Sequence, residues 1–229
     1  MARSALIAAL FALAGCASIP PVAPVAPVAA SDWHDVSLPG KQLTHYGWSF
    51  KDGRRAIAAV SDRSASMWRR RIEVAAVDVR QVSFSWWVQQ MVENGSVADA
   101  NREDAAARVL FSFQGDVGSL PLRTRALFDL AEAITGERPP FATLMYVWDA
   151  TAPVGTVIIN PRSDRIRKIV LDSGPQELRR WREHRRDLAA DYRLAFGAEP
   201  GALSAVAVMT DSDNTGSSAR SWYGAVHLH

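Results

Sequence analysis

The chain has 229 residues, 48% of them apolar and 22% charged, which suits one medium-sized globular domain with a real core. Lys plus Arg number 26 against 24 for Asp plus Glu, so the net charge of +2 gives no electrostatic case for nucleic acid as a partner. A single cysteine excludes any disulfide inside the chain, and stability must come from packing.

The first element is a leader. Arg3 precedes an apolar run from Ala5 to Ala14, too short to span a bilayer as a permanent helix. Leu13-Ala14-Gly15-Cys16 matches a bacterial lipobox, so residues 1–15 are expected to be a lipoprotein signal peptide and Cys16 the lipidated residue. Ala17 follows the cysteine where an inner-membrane retention signal has aspartate. The expected address is therefore the outer membrane, facing the periplasm, with the membrane engaged through the lipid on Cys16. Residues 16–30 carry repeated prolines and read as a semi-rigid tether. Residues 31–229 form the single remaining domain.

Strands dominate that domain. In "VSFSWWVQ", Val82, Phe84, Trp86 and Val88 share one face, opposite Ser83, Ser85, Trp87 and Gln89. "ARVLFSFQ" alternates in the same way, with Val109, Phe111 and Phe113 opposite Arg108, Leu110 and Ser112. A helix is predicted in "PLRTRALFDLAEAIT", with Leu122, Ala126, Leu130 and Ile134 at helical spacing and Gly136 as its stop. "LMYVW" and "GTVII" read as strands buried on both faces. A second, longer helix is predicted at about 175–196, from Pro175 to a cap at Gly197, with Leu178, Trp181, Leu188, Tyr192 and Phe196 as its apolar stripe. "LSAVAVMT" is another strand. In "SWYGAVHL" the alternation puts Trp222 inward and turns Tyr223 and His227 outward. Many short strands with two helices predict a mostly β chain folded as an antiparallel β-sandwich.

The segments "EDAAARVLFSF", "LMYVWDATAPVGTVIINPRSDRIRKIVLDSG", "WREHRRDLAADYRLAFG" and "VAVMTDSDNTGSSARSWYG" together resemble the bacterial Domain of Unknown Function 3047 family, from about Leu43 to the end. The resemblance brings no established activity. It implies a jelly roll of the galactose-binding type used by many carbohydrate-binding modules. The family pattern has an acidic residue after the glycine of its final "YYG" stretch; here Ala225 follows Gly224.

Candidate site residues follow from chemistry at strand ends and on polar faces. In the loop that also carries Asn214, Asp211, Asp213, Thr215 and Gly216 mimic the opening of an EF-hand calcium loop, but Trp222 stands where an EF-hand needs its bidentate glutamate. An EF-hand is excluded; a simpler calcium site through Asp211 and Asp213, a direct ligand contact and a plain turn all remain open. No cofactor other than calcium is suggested. Trp87 among serines and glutamine suits stacking on a sugar ring, with Asp104 and Arg108 able to reach the same face, or it is covered by a helix. Trp148 closes a strand where loops build sites. Trp87, Asp104, Arg108, Trp148, Asp211, Asp213, Asn214 and Tyr223 form the predicted ligand-binding set. The expected function is an envelope lipoprotein binding a saccharide-like ligand without catalysis. A glycan hydrolase using paired carboxylates such as Asp104 with Asp211 or Asp213, and an assembly protein with an unidentified protein partner, are the alternatives. No nucleophile elbow, metalloprotease helix or P-loop occurs in the chain.

Overall fold

The computed structural model describes residues 32–229; the expected leader, Cys16 and the tether lie outside the described residues. In chain order the strands are β1 (Trp33–Ser37), β2 (His45–Lys51), β3 (Arg54–Asp62), β4 (Ser66–Val74), β5 (Gln81–Val88) and β6 (Arg108–Phe113). Helix α1 (Leu122–Thr135) follows, then β7 (Ala142–Asp149), β8 (Val157–Ile159), β9 (Ile166–Ser173) and β10 (Trp181–Asp187). Helix α2 (Leu188–Phe196), β11 (Leu203–Met209), β12 (Ser218–Tyr223) and β13 (His227–Leu228) complete the chain.

Two sheets face one another. One runs β1-β4-β11-β6-β7-β9-β8, the other β10-β5-β12-β3-β2 with β13 also on β5. Every pairing is antiparallel except β7 with β9, so the expected antiparallel sandwich contains one parallel pair. Val82, Phe84, Trp86 and Val88 enter the core between the sheets and meet Phe111, Phe113, Leu144, Tyr146 and Trp148 from the other side. A second apolar cluster lies on the outer face of the seven-stranded sheet, where Leu110, Met145, Val147, Val170 and Ala207 gather with Val97 and Ala105 of the 89–107 connection. That connection explains why β6 and β7 are buried on both faces.

The predicted long helix at 175–196 is corrected: 181–187 is strand β10, and only Leu188–Phe196 is helical. The segment has a period of two as well as a helical one. Arg182 and His184 point to one side of β10, where His184 lies 4.8 Å from the Trp86 ring and 5.4 Å from Phe84. Pairing with the full length of β5 satisfies the backbone that a helix would otherwise have used. Asp187 then caps α2, its side chain accepting from Ala190 N–H, and Gly197 ends the helix in the left-handed region at φ 69° as predicted. Helix α1 is also where the spacing puts it, but its stripe is not buried: Phe128 alone goes under, while Leu122, Leu127, Leu130 and Ile134 are 52–77% exposed.

The last strand is corrected as well. Tyr223 points into the core and Trp222 outward, the reverse of the predicted faces. The run is two strands, not one: Gly224 donates its N–H to Ser85 and breaks the alternation before β13. A side chain at Gly224 would meet the Ser85 hydroxyl, so the close approach requires glycine.

Asp172 of β9 ties the two sheets at their β10 edge. Its carboxylate accepts from Trp86 Nε1 at 2.7 Å, from Arg182 Nε at 3.0 Å, and pairs with His184 Nε2 at 2.9 Å. Burial pushes this carboxyl up, but the hydrogen bonds from His184, Trp86 and Arg182 outweigh burial and hold it below the usual range. A depressed folded-state pKa stabilises the protein above about pH 4, and that contribution is lost as pH falls through the folded value. The protein should therefore lose thermal stability steeply in acid. Asp172→Asn, less stable at neutral pH, should show a shallower acid limb when melts are compared between about pH 3 and 7.

Candidate functional site

Two clusters of chemistry-bearing side chains stand out, and they differ in what is left free. The first surrounds the "DSDNTG" loop after β11. Arg108, 1% exposed, projects from β6 under the 89–107 connection. Its Nε and Nη2 donate to the two oxygens of Asp211 at 3.0 and 2.8 Å, and Nη2 also reaches the Glu103 carbonyl at 2.7 Å. Glu103 in turn pairs with Lys168 at 2.7 Å and Arg162 at 3.0 Å, and accepts from Asn160 Nδ2 at 2.8 Å. Lys168 is fully buried and also donates to the Val97 carbonyl at 2.6 Å.

Electrostatics at this cluster follow from burial. Burial pushes the Asp211 carboxyl up to about 7, against the pull of Arg108 and with help from the Asp104 charge. Burial likewise lowers the Lys168 ammonium to about 8, assisted by Arg108 and opposed by Glu103.

Asp104, Asp211 and Asp213 do converge, with one oxygen of each within 4.8 Å of the others. The question is whether they ask for a cation. Asp104 accepts from Asn214 N–H, Thr215 N–H and the Thr215 hydroxyl at 3.2, 2.7 and 2.8 Å. Asp211 is committed to Arg108 and to Ala105 N–H, and Asp213 pairs with Lys41. Protein donors engage all three, Asp213 through one oxygen only. Asn214 closes the clamp by donating Nδ2 to the Ala100 carbonyl at 3.2 Å.

Trp148 and Tyr223, also predicted for ligand binding, are buried in the core. Trp148 Nε1 donates to the Gly174 carbonyl at 3.0 Å. The Tyr223 hydroxyl donates to the Met209 carbonyl at 2.6 Å and lies 2.7 Å from Thr210 Oγ1; burial raises its pKa. Both serve the scaffold in this structure.

The second cluster lies on the outer face of the six-stranded sheet. Trp181, Trp87 and Trp222 occupy one register position on the adjacent strands β10, β5 and β12. Neighbouring strands stand about 4.8 Å apart, so the row spans roughly 10 Å. Beyond Trp222 the same register continues with Ala58 and Gly47, which leave a low floor. Lys51 and Arg54 face one another across the β2–β3 turn, where Asp52 and Gly53 both take positive φ, at 51° and 76°. That turn holds the Lys51 ammonium 3.7 Å from the Trp87 ring centre and 5.0 Å from Trp222. Arg54 lies 5.2 Å from the Trp181 ring and pairs with Glu183. Trp87, 7% exposed, is covered by Lys51 and by the perpendicular Trp222 ring at 5.0 Å, and not by a helix. The indole N–H groups of Trp87 and Trp181 are buried and have no hydrogen-bond partner among the described residues. Orphaned buried donors are uncommon and call for an acceptor from outside.

Of the residues predicted from sequence, only Trp87 belongs to this row; Asp104, Arg108, Asp211, Asp213 and Asn214 share the first cluster. Trp181 and Trp222 were missed because one was read as helical and the other as inward-facing. "KDGR" is the signal for Lys51 and Arg54, since Asp-Gly flanked by alternating residues marks a two-residue hairpin turn.

The chain belongs to a family of proteins of unknown function, DUF3047, whose model matches residues 31–227. No curated protein matches it. Among solved structures it is similar to the family 11 carbohydrate-binding module of the cellulosomal cellulase Lic26A-Cel5E of Clostridium thermocellum, at 7% identity and TM-score 0.43 over 87% of this chain and 88% of that one. The K1 cleaved adhesin domain of Lys-gingipain from Porphyromonas gingivalis W83 gives 9% identity and TM-score 0.38, covering 88% and 92% of the two chains. The xyloglucanase domain of NopAA, a type three effector from Sinorhizobium fredii, in complex with cellobiose, gives 7% and 0.41, covering 88% and 99%. Likeness this distant transfers no ligand or activity.

Three outcomes test the first cluster as a structural lock. Arg108→Met strands the Asp211 charge and the Glu103 carbonyl and should cost about 3–5 kcal/mol, read as a fall in Tm of roughly 6–20 °C. Arg108→Met with Asp211→Leu should recover part of that loss. Melts in calcium and in EDTA should coincide; an ion held at a hundred times its Kd would instead add about 2.7 kcal/mol.

Proposed function

We propose that the chain is a lipid-anchored envelope protein whose domain binds a saccharide-like ligand without turning it over, along the Trp181–Trp87–Trp222 row. One observation carries the reading: three tryptophans in register across adjacent strands, two of them with buried N–H groups that lack an acceptor. Indole faces suit the C–H faces of sugar rings, and sugar hydroxyls supply the oxygens that unpaired N–H groups require. Lys51, Arg54 and Glu183 stand at the row's margin to fix orientation by charged hydrogen bonds. The lipobox at Cys16 supports the anchor and the periplasmic address.

The convergence of Asp104, Asp211 and Asp213 is what favours hydrolysis instead. Against it stand the internal hydrogen bonds and the Lys41 ion pair that engage each of those carboxylates.

Affinity electrophoresis through gels containing envelope and plant polysaccharides tests the reading. Trp222→Ala and Trp181→Ala should each weaken retention about tenfold, or about 1.4 kcal/mol, with little change in Tm because both rings are half-exposed. Retention indifferent to both changes would sink the tryptophan row. Release of reducing ends that disappears in Asp213→Asn would favour the hydrolase.

A further inference from the structure

Helix α1 is amphipathic the wrong way round for a helix that belongs only to its own domain. At about 100° per residue, Leu122, Ala133, Ala126, Leu130, Ile134 and Leu127 fall within an arc of about 140°. All six are exposed, and no described residue covers the arc. The helix touches the domain through the opposite side, where Phe128 is buried. A contiguous apolar stripe of this length, about 21 Å, marks an interaction surface. Its acidic residues lie outside the arc: Asp129 and Glu132 both pair with Arg138.

The position of the helix points to its occupant. The described chain begins at Asp32, which lies 3.9 Å from Arg70. Two residues on, His34 Nε2 is 3.4 Å from Arg69 Nη2, and Arg69 grips both oxygens of Glu137 at 2.8 Å. Glu137 stands two residues past the end of α1. The polypeptide therefore enters the domain beside α1. Residues 17–31 can span no more than about 55 Å, so an anchor at Cys16 keeps this entry point within about that distance of its bilayer. Arg69 and Arg71 hold Glu137 on the outer face of the seven-stranded sheet, and the tryptophan row is on the outer face of the other sheet.

We propose that α1 is a membrane-docking helix, lying flat on the lipid surface with Leu122, Leu127, Leu130 and Ile134 at the boundary of headgroups and acyl chains. This rests on the reading of Cys16 as a lipid anchor. Arg123, inside the arc, reaches up to lipid phosphates while its stem stays among the leucines. The lipid on Cys16 would hold the protein at the membrane, and the helix supplies a second contact that fixes its orientation. Docked in this way, the domain presents the tryptophan row away from the bilayer.

The test uses the full protein, purified with its lipid and reconstituted into vesicles of phosphatidylethanolamine and phosphatidylglycerol. An environment-sensitive fluorophore is placed on Leu130→Cys, with Ala225→Cys as the control. The probe at 130 should shift to the blue, be quenched by nitroxide-labelled lipids, and resist aqueous iodide several-fold better than the probe at 225. The triple variant Leu127→Ser, Leu122→Ser, Ile134→Ser should abolish those differences without changing Tm, since these side chains are exposed. A probe at 130 that stays open to iodide overturns the proposal. So does a blue shift without nitroxide quenching, which would assign the stripe to a second copy or to residues 17–31. Mass spectrometry of the Cys16 peptide reports the anchor separately. With the lipid present and the probe in water, the helix proposal fails and the anchor stands. With the lipid absent, vesicle flotation lost in the triple variant upholds the helix, and no flotation at all overturns it.

Discussion

The Arg108–Asp211 pair is the constraint on which one end of the sandwich depends. A guanidinium has been taken out of water onto the outer face of a sheet, where it can persist only if a carboxylate and a carbonyl meet it in good geometry. Meeting it fixes two connections at once. Asp211 holds the loop after β11, and Glu103 holds the long connection before β6. Lys168 extends the same network to β9, so two strands and two connections share one set of buried charges. With that connection in place, Leu110, Met145 and Val170 lose their exposure to water and a second core forms outside the sheets.

Where a site can lie follows from the same network. Groups that look chemically active in isolation are engaged by one another: the acidic loop by Arg108, Lys41 and backbone N–H groups, Tyr223 by Thr210 and Met209. Polar groups satisfied internally in this way act as locks. The tryptophan row differs because two of its indole donors have no partner among the described residues and its rings meet cations on a turn, not a covering element. Helix α1 differs similarly, with apolar surface that the domain does not consume. Glu137, two residues past α1, sits on the outer face of the seven-stranded sheet, and the tryptophan row lies on the outer face of the other sheet.

The sequence by itself determined the parts governed by local periodicity and local turn chemistry. Alternation assigned β5 and β6 their inner faces, unbroken apolar runs marked β7 and β11, and Gly136 and Gly197 ended their helices because only glycine takes left-handed φ without cost. The tertiary structure decided the parts in which two local patterns compete. Residues 181–187 satisfy helical and strand spacing alike, and the free edge of β5 chose the strand. Trp222 and Tyr223 are adjacent aromatics of similar burial potential, and the break at Gly224 chose which one faces water. Whether Asp211 is a ligand or a lock depended on Arg108, 103 residues away in sequence. Periodicity reports which face a side chain takes along its own strand. It carries no information about what stands opposite, because that partner is set by long-range pairing.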